Sequence, residues 1–419
     1  MKKFTLFLFI ICLFILPSNA IIFAEESEDY IGGFDETPKP FRIGDRSFEV
    51  GINAGFSVSN DFLSFDKIFQ EKLVINLDDL RKGFKINFGM DATPFYLKFS
   101  PAHKKWGFGL FIGVDAVGAI DLHGDMLSFN KTSKSESDLG AAVFALAGID
   151  TFFHIQKFKV KVNPTVFYPV AYIKRDAFSY KYINSDEGTQ LAIGYDFRLY
   201  TGFARSELSS LIPDEFNLTA SPGVDISLGV EFPLAKELGI SKLLPFLDFD
   251  VGLDFKSIPI VSSTVRDYAR YTGTIGIDEP IDLTGGNFDL DNFFSTSDSV
   301  GKGEEKAYRP FKMVIWANWR PFGSEFLTLT PIVGFAISPQ YNVQPESLEL
   351  GIKARLSLAN LLILTVGICQ EDRVWKNNAD LALNFRAFEF NIGVNLQSSD
   401  FLKSWGSGIG LNAGLKFGW

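Results

Sequence analysis

The sequence of 419 residues is 46% hydrophobic and 15% aromatic, with 44 Phe residues. Beyond its first two dozen positions, however, it has no apolar run of the roughly 18 residues that a membrane-spanning helix needs. Its formal net charge of −10 argues against nucleic acid or anionic lipid as a partner. Two cysteines leave little scope for a disulfide framework.

Lys2 and Lys3 precede a hydrophobic run from Phe4 to Leu16, closed by small residues at Ser18-Asn19-Ala20 or Ile22-Phe23-Ala24. This pattern predicts a signal peptide over residues 1–24. Cys12 follows Ile10 and Ile11 rather than the small residues of a lipoprotein cleavage site, so no lipid anchor is expected. Cleavage would remove Lys2 and Lys3, leaving a net charge of −12, and Cys369 as the single cysteine. Residues 25–46 are acidic, carry Gly32-Gly33 and Pro38-Lys39-Pro40, and have no periodicity. They read as a short periplasmic tail or plug ahead of a barrel domain over residues 47–419.

Residues 47–60 alternate cleanly: Phe48, Val50, Ile52, Ala54, Phe56 and Val58 against Glu49, Gly51, Asn53, Gly55, Ser57 and Ser59. A two-residue period with one apolar face is the signature of a barrel strand. After Asp61, the spacing of Phe62, Phe65, Ile68 and Phe69 is approximately helical, which predicts a short amphipathic helix in a loop or at the barrel mouth. Strand period returns at Phe84, Ile86, Phe88 and Met90, then changes parity to Phe95, Leu97 and Phe99 around Pro94. Proline cannot donate to the ladder, so a bulge or kink is expected there. The turn at 101–105 leads into a strand over 106–122, with Asp115 and Asp121 inward.

Further strands are expected at 139–154, 158–173, 189–201, 223–232, 244–256, 309–320, 327–338, 347–358, 361–370, 379–386, 388–396 and 408–419. A barrel with both ends in the periplasm needs an even number. The ambiguity falls between residues 174 and 222. If 189–201 belongs to an elaborated outer loop, the barrel has fourteen strands; an added strand at 216–220 would give sixteen. Fourteen is preferred. Residues 257–308, with nine acidic and four basic residues, read as a long outer loop without strand period. The fold class is thus an all-β transmembrane antiparallel barrel in the bacterial outer membrane, with lipid around it.

The sequence holds only three histidines, His103, His123 and His154, which limits enzymatic readings. His123 lies between Asp121 and Asp125, but no second acidic pair completes a protease-like site, so no enzyme is expected. Gly107-Phe-Gly109 and Gly408-Ile-Gly410 lie inside alternating strands with no helix behind them to cradle a phosphate. Asp289, Asp291 and Asp298 suggest calcium only weakly, since the glycine of an EF-hand loop is missing. No cofactor is expected. The candidate lumen or constriction residues are Asp115, Asp248, Asp250, Asp254, Lys312, Arg320, Lys353 and Arg355. Asp225, Glu231, Lys159 and Lys161 also face inward. Charges of both signs in a lumen either brace a narrow barrel or set a field across a pore.

The chain ends Asn412-Ala-Gly-Leu-Lys-Phe-Gly-Trp419. With Gly414, Phe417 and Trp419 in place, this resembles the C-terminal signal that the barrel-assembly machinery reads in outer-membrane barrels. The signal, about fourteen strands, the short segment before the first strand, and the proline-associated irregularity in the second together resemble the long-chain fatty acid transporter family. Conjugation-type and spirochaete-type barrels of unassigned role are also similar. The transporter resemblance implies a plugged lumen, hydrophobic small-molecule cargo inside it and a wall kink as lateral exit. Three functions follow as expectations: passive passage of small or hydrophobic molecules, a general diffusion porin, or a structural or adhesive surface barrel.

Overall fold

The computed structural model describes residues 46–60, 83–100, 106–123, 134–185, 188–203, 218–240, 244–281, 294–337, 346–359, 361–371, 374–385, 387–398, 401 and 406–419. The expected signal, most of the tail, the helical spacing at 62–69, His103, Asp125, Asp289 and Asp291 lie outside these residues.

Alternation dominates, and the described chain is almost entirely strand. In order these are β1 (Phe48–Asn60), β2 (Gly83–Phe99), β3 (Trp106–His123), β4 (Lys134–Ile155), β5 (Phe158–Ser185), β6 (Gly188–Thr201) and β7 (Gly223–Phe232). A one-turn helix, α1 (Leu234–Glu237), and a 3-10 turn at Pro245–Leu247 lead to β8 (Asp248–Val261). Then come β9 (Ser263–Ile281), β10 (Phe294–Ala307), β11 (Phe311–Arg320), β12 (Leu327–Ile337) and β13 (Glu346–Leu358). The last four are β14 (Leu362–Glu371), β15 (Val374–Asn384), β16 (Phe388–Ser398) and β17 (Gly408–Gly418).

These seventeen strands make fourteen staves. Three staves are each built of two strands end to end. β7 continues the line of β6, β9 that of β8, and β11 that of β10, so β5 pairs with β6 along one stretch and β7 along another. Every neighbour is antiparallel, and β17 pairs with β1 to close the ring. Closure removes the free edges that would otherwise leave backbone groups unpaired in hydrocarbon. The expected fourteen-strand barrel is what forms.

The expected irregularity at Pro94 is present: the β2–β3 register shifts between Ala92 and Phe95. It carries the apolar series from Met90 to Phe95 while keeping both outside, where they are 38% and 42% exposed. Residues 257–308 differ from the sequence reading. Their described residues, 257–281 and 294–308, form the top of β8, all of β9 and β10, and the break after Ala307, and most of these residues carry strand pairing. The acidic, Gly- and Thr-rich composition hid a two-residue period that the β9–β10 hairpin supplies through its ladder. β5 is likewise longer than expected. Its 28 residues reach up to about 90 Å at roughly 3.3 Å per residue, far beyond an apolar band about 25 Å tall. The upper parts of β5, β6, β9 and β10 therefore stand above the wall as a sheet extension. β15 begins at Val374, five residues before the sequence reading starts it, because Lys376 and Asn378 are polar inward positions.

The outer surface is apolar where it should meet lipid. Ile52, Leu110, Ile112, Ile149, Val166, Val333, Leu364 and Val366 are exposed. At the end that carries Arg46, Trp419 and the short turns, exposed aromatics gather: Trp106, Phe158, Phe322, Phe385, Phe417 and Trp419. Such rings suit the headgroup level, and short turns mark the periplasmic side.

Candidate functional site: the lumen

The inner face follows from register. Along β1 the alternate residues Glu49, Gly51, Asn53, Gly55 and Ser57 face in, and ladder partners share their face: Lys98 with Glu49, Asp91 with Gly55. Asp115 then stands opposite Asp91 on β3, and Asp150 opposite Gly109 on β4. These inward positions surround a cavity of about 460 Å³.

Its lining is charged, and the charges are unevenly spread. Strands β1 to β4 contribute four carboxylates, Glu49, Asp91, Asp115 and Asp150, and one lysine, Lys98. Between residues 309 and 416 come five bases, Arg309, Lys312, Lys353, Lys376 and Lys416, and two carboxylates, Glu349 and Asp380. Lys161, Asp254 and Lys256 lie between these two groups, and Asn53, Asn163, Ser227, Asn378, Asn395 and Asn412 add amides and a hydroxyl among apolar side chains.

Ion pairs hold this lining. Lys312 Nζ lies 2.8 Å from Glu349 Oε1, on strands separated by β12. Asn412 donates to Asp380 Oδ1 at 2.8 Å. Arg309 contacts Asp225 Oδ2 at 3.1 Å and Asp115 Oδ2 at 3.8 Å, with the Asp225 side chain 1% exposed. Trp316 Nε1 donates to Asp254 Oδ2 at 2.6 Å. That indole lies flat over Gly252, where a Cβ would sit 2.1 Å from its Cζ2.

Towards the periplasmic end, Arg320 pairs with Asp248 at 2.8 Å and Asp250 at 2.7 Å. Arg46, just before β1, reaches inward over Gly418 to Glu49 at 2.9 Å and Glu389 at 3.3 Å. Lys416 meets the same Glu389 at 3.3 Å, and Tyr96 donates to Glu49 at 2.8 Å.

On the β4–β10 side an apolar cluster borders the cavity. Phe144, Phe167, Tyr172, Tyr200 and Val265 are buried together, with Val117 and Leu146 packed between them and the cavity. Phe144 and Phe167 meet edge to face at 5.5 Å.

Of the sequence candidates, Asp115, Asp254, Lys312 and Lys353 line the one cavity. Asp248, Asp250 and Arg320 form their own cluster nearer the periplasmic end. Arg355 lies on β13 between Thr328 and Thr365, partly buried and apart from the cavity lining. Arg309 escaped the sequence reading for a geometric reason. In an unbroken strand its parity would oppose that of inward Lys312, but the break at Tyr308–Pro310 turns it inward. Asp91, Lys376 and Asp380 were legible as inward positions only once the bulge of β2 and the start of β15 were placed.

At the C-terminus, Gly414 leaves room for Asn391, whose Oδ1 would lie 2.4 Å from an added Cβ. Phe417 and Trp419 face outward, 54% and 76% exposed, and the Trp419 ring lies 4.7 Å from that of Phe48.

A closed antiparallel ring, an apolar exterior with an aromatic girdle, and a polar interior define a bacterial outer-membrane β-barrel. Neither a protein-family model nor a curated protein matches the chain. Among solved structures it is similar to the Pseudomonas putida toluene transporter TodX, at 8% identity over 88% of both chains with a TM-score of 0.44. The Ralstonia pickettii toluene transporter TbuX matches at 8% identity over 90% of both chains, TM-score 0.44. A Pseudomonas aeruginosa FadL homologue matches at 7% identity over 89% of this chain and 90% of that one, TM-score 0.45.

Proposed function

We propose that the protein is a passive channel for small polar solutes across the outer membrane. The observation that carries this reading is the fifteen charged side chains that line the cavity, among amides and hydroxyls, inside a wall whose outer face is apolar. Water and polar solutes keep their hydrogen bonds along such a surface, whereas an apolar solute would have to displace hydration from charged groups and gain little in return. Asp115, Asp254, Lys312 and Lys353 act as lining charges in this account, and the Arg320 cluster braces the wall below them.

A second reading, hydrophobic cargo, draws on the apolar corner where Val117 and Leu146 touch the cavity. Proteoliposome swelling in a neutral polyol, run beside uptake of a labelled fatty acid, separates the two. Polyol entry without fatty acid uptake supports the polar channel, and the reverse supports hydrophobic cargo. Neither flux would leave a structural or adhesive barrel.

A further inference from the structure

The lining is richer in acids on β1 to β4 and richer in bases between residues 309 and 416, although Lys98 lies on the first side and Glu349, paired with Lys312, and Asp380 lie on the second. β3 and β13 are seven staves apart in a ring of fourteen, so Asp115 and Lys353 face each other across the cavity that both line. Asp91 stands directly across from Asp115 on β2, Asp150 lies on β4 but opposite Gly109, six residues along the ladder from Asp115, and Lys312 and Lys376 stand two staves to either side of Lys353. Asp91 and Asp115 are direct cross-strand partners, an arrangement of like charges that destabilises a sheet. Arg309 approaches Asp115 and offsets part of that repulsion.

Such a lumen has a transverse field. An ion of one sign is attracted by one wall and repelled by the other. A molecule with a positive and a negative end can turn to satisfy both walls at once, and a cavity of about 460 Å³ leaves room for a small one to do so.

We propose that the lumen selects small zwitterions, molecules carrying one ammonium and one carboxylate, the amino-acid class. The ammonium would face Asp91 and Asp115, and the carboxylate Lys353 and Lys376. This inference rests on the polar-channel reading.

The test is swelling of proteoliposomes containing the full protein in threonine and in erythritol, a neutral solute of similar size. The wild type should admit threonine several-fold faster than erythritol. The D91N/D115N variant and, independently, the K353Q/K376Q variant should each bring that ratio close to one. Using both variants guards against one failing to assemble through its loss of the Arg309 contact. Erythritol entry with no preference for threonine, or a preference that survives in an assembled variant, overturns the zwitterion inference and leaves the channel standing. Exclusion of both solutes overturns the channel reading and this inference with it.

Discussion

Arg309 and Asp115 come within 3.8 Å of each other although their staves lie five places apart around the barrel. The guanidinium also holds Asp225, so one side chain ties the break between β10 and β11 to β7 and to β3. A wall whose staves are split between β6 and β7 and again at 308–310 is bridged from inside.

Removing that bridge should be costly. R309A would leave the buried Asp225 carboxylate without its principal counter-charge, a change worth about 3–5 kcal/mol for a broken buried pair. The variant should unfold from its heat-modifiable form at a distinctly lower temperature. Adding D225N should recover much of the loss, since a neutral amide needs no counter-ion. An R309A barrel as stable as the wild type would show that the bridge contributes little.

The lipid and lumen faces can be separated by labelling. In a C369S background, single cysteines at Asn53, Asp115 and Asp250 should react with membrane-impermeant thiol reagents. Cysteines at Ile52, Leu110, Ile112, Leu364 and Val366 should stay protected in the bilayer. Ile112, 55% exposed on the outer face, is also a site where arginine should cost about 2–4 kcal/mol if it lies near the midplane. Reversed labelling would mean that the register is wrong by one residue throughout.

Gly252 tests the packing beneath the lumen. G252A would drive a methyl group into Trp316, which is 2% exposed and fixed by its bond to Asp254. Overpacking of this kind costs about 1–3 kcal/mol. A lower midpoint of unfolding, followed by tryptophan fluorescence, is the expected result; an unchanged midpoint would mean the indole can move aside.

The C-terminal strand closes the ring. Trp419 O accepts from Ser47 N at 2.8 Å and from Phe48 N at 3.1 Å, and Gly418 N donates to Ala387 O at 3.0 Å. We propose that Gly414, Phe417 and Trp419 also form the signal for the assembly machinery. Deleting residues 417–419 should leave the chain degraded or stalled in the periplasm, whereas W419F should insert. Normal insertion of the truncated chain would contradict this role.

Much of this barrel was legible in the sequence because a two-residue period survives wherever one face meets lipid. The series Phe48 to Val58 and Ile409 to Trp419 place the first and last strands, and the parity change at Pro94 marks a real bulge. The period fades where a strand leaves the apolar band, since neither face then needs to be greasy. That is why β9 and β10 look like a loop in the sequence and why the legible alternation of β5 ends at Ile173. The inward charges on regular strands, Asp115, Asp254, Lys312 and Lys353, were likewise visible by parity. Arg309 was not, because a chain break sets its direction. Nor could alternation along one strand show that Asp115 and Lys353 lie on opposite walls, which depends on the order and number of staves.

Conduction of polar solutes through the lumen is open to direct measurement. Planar-bilayer recording of the refolded protein, paired with erythritol entry into proteoliposomes, tests it most directly. Discrete conductance steps and measurable erythritol flux are expected. A correctly folded barrel that is electrically silent and impermeable to erythritol would contradict the polar-channel reading.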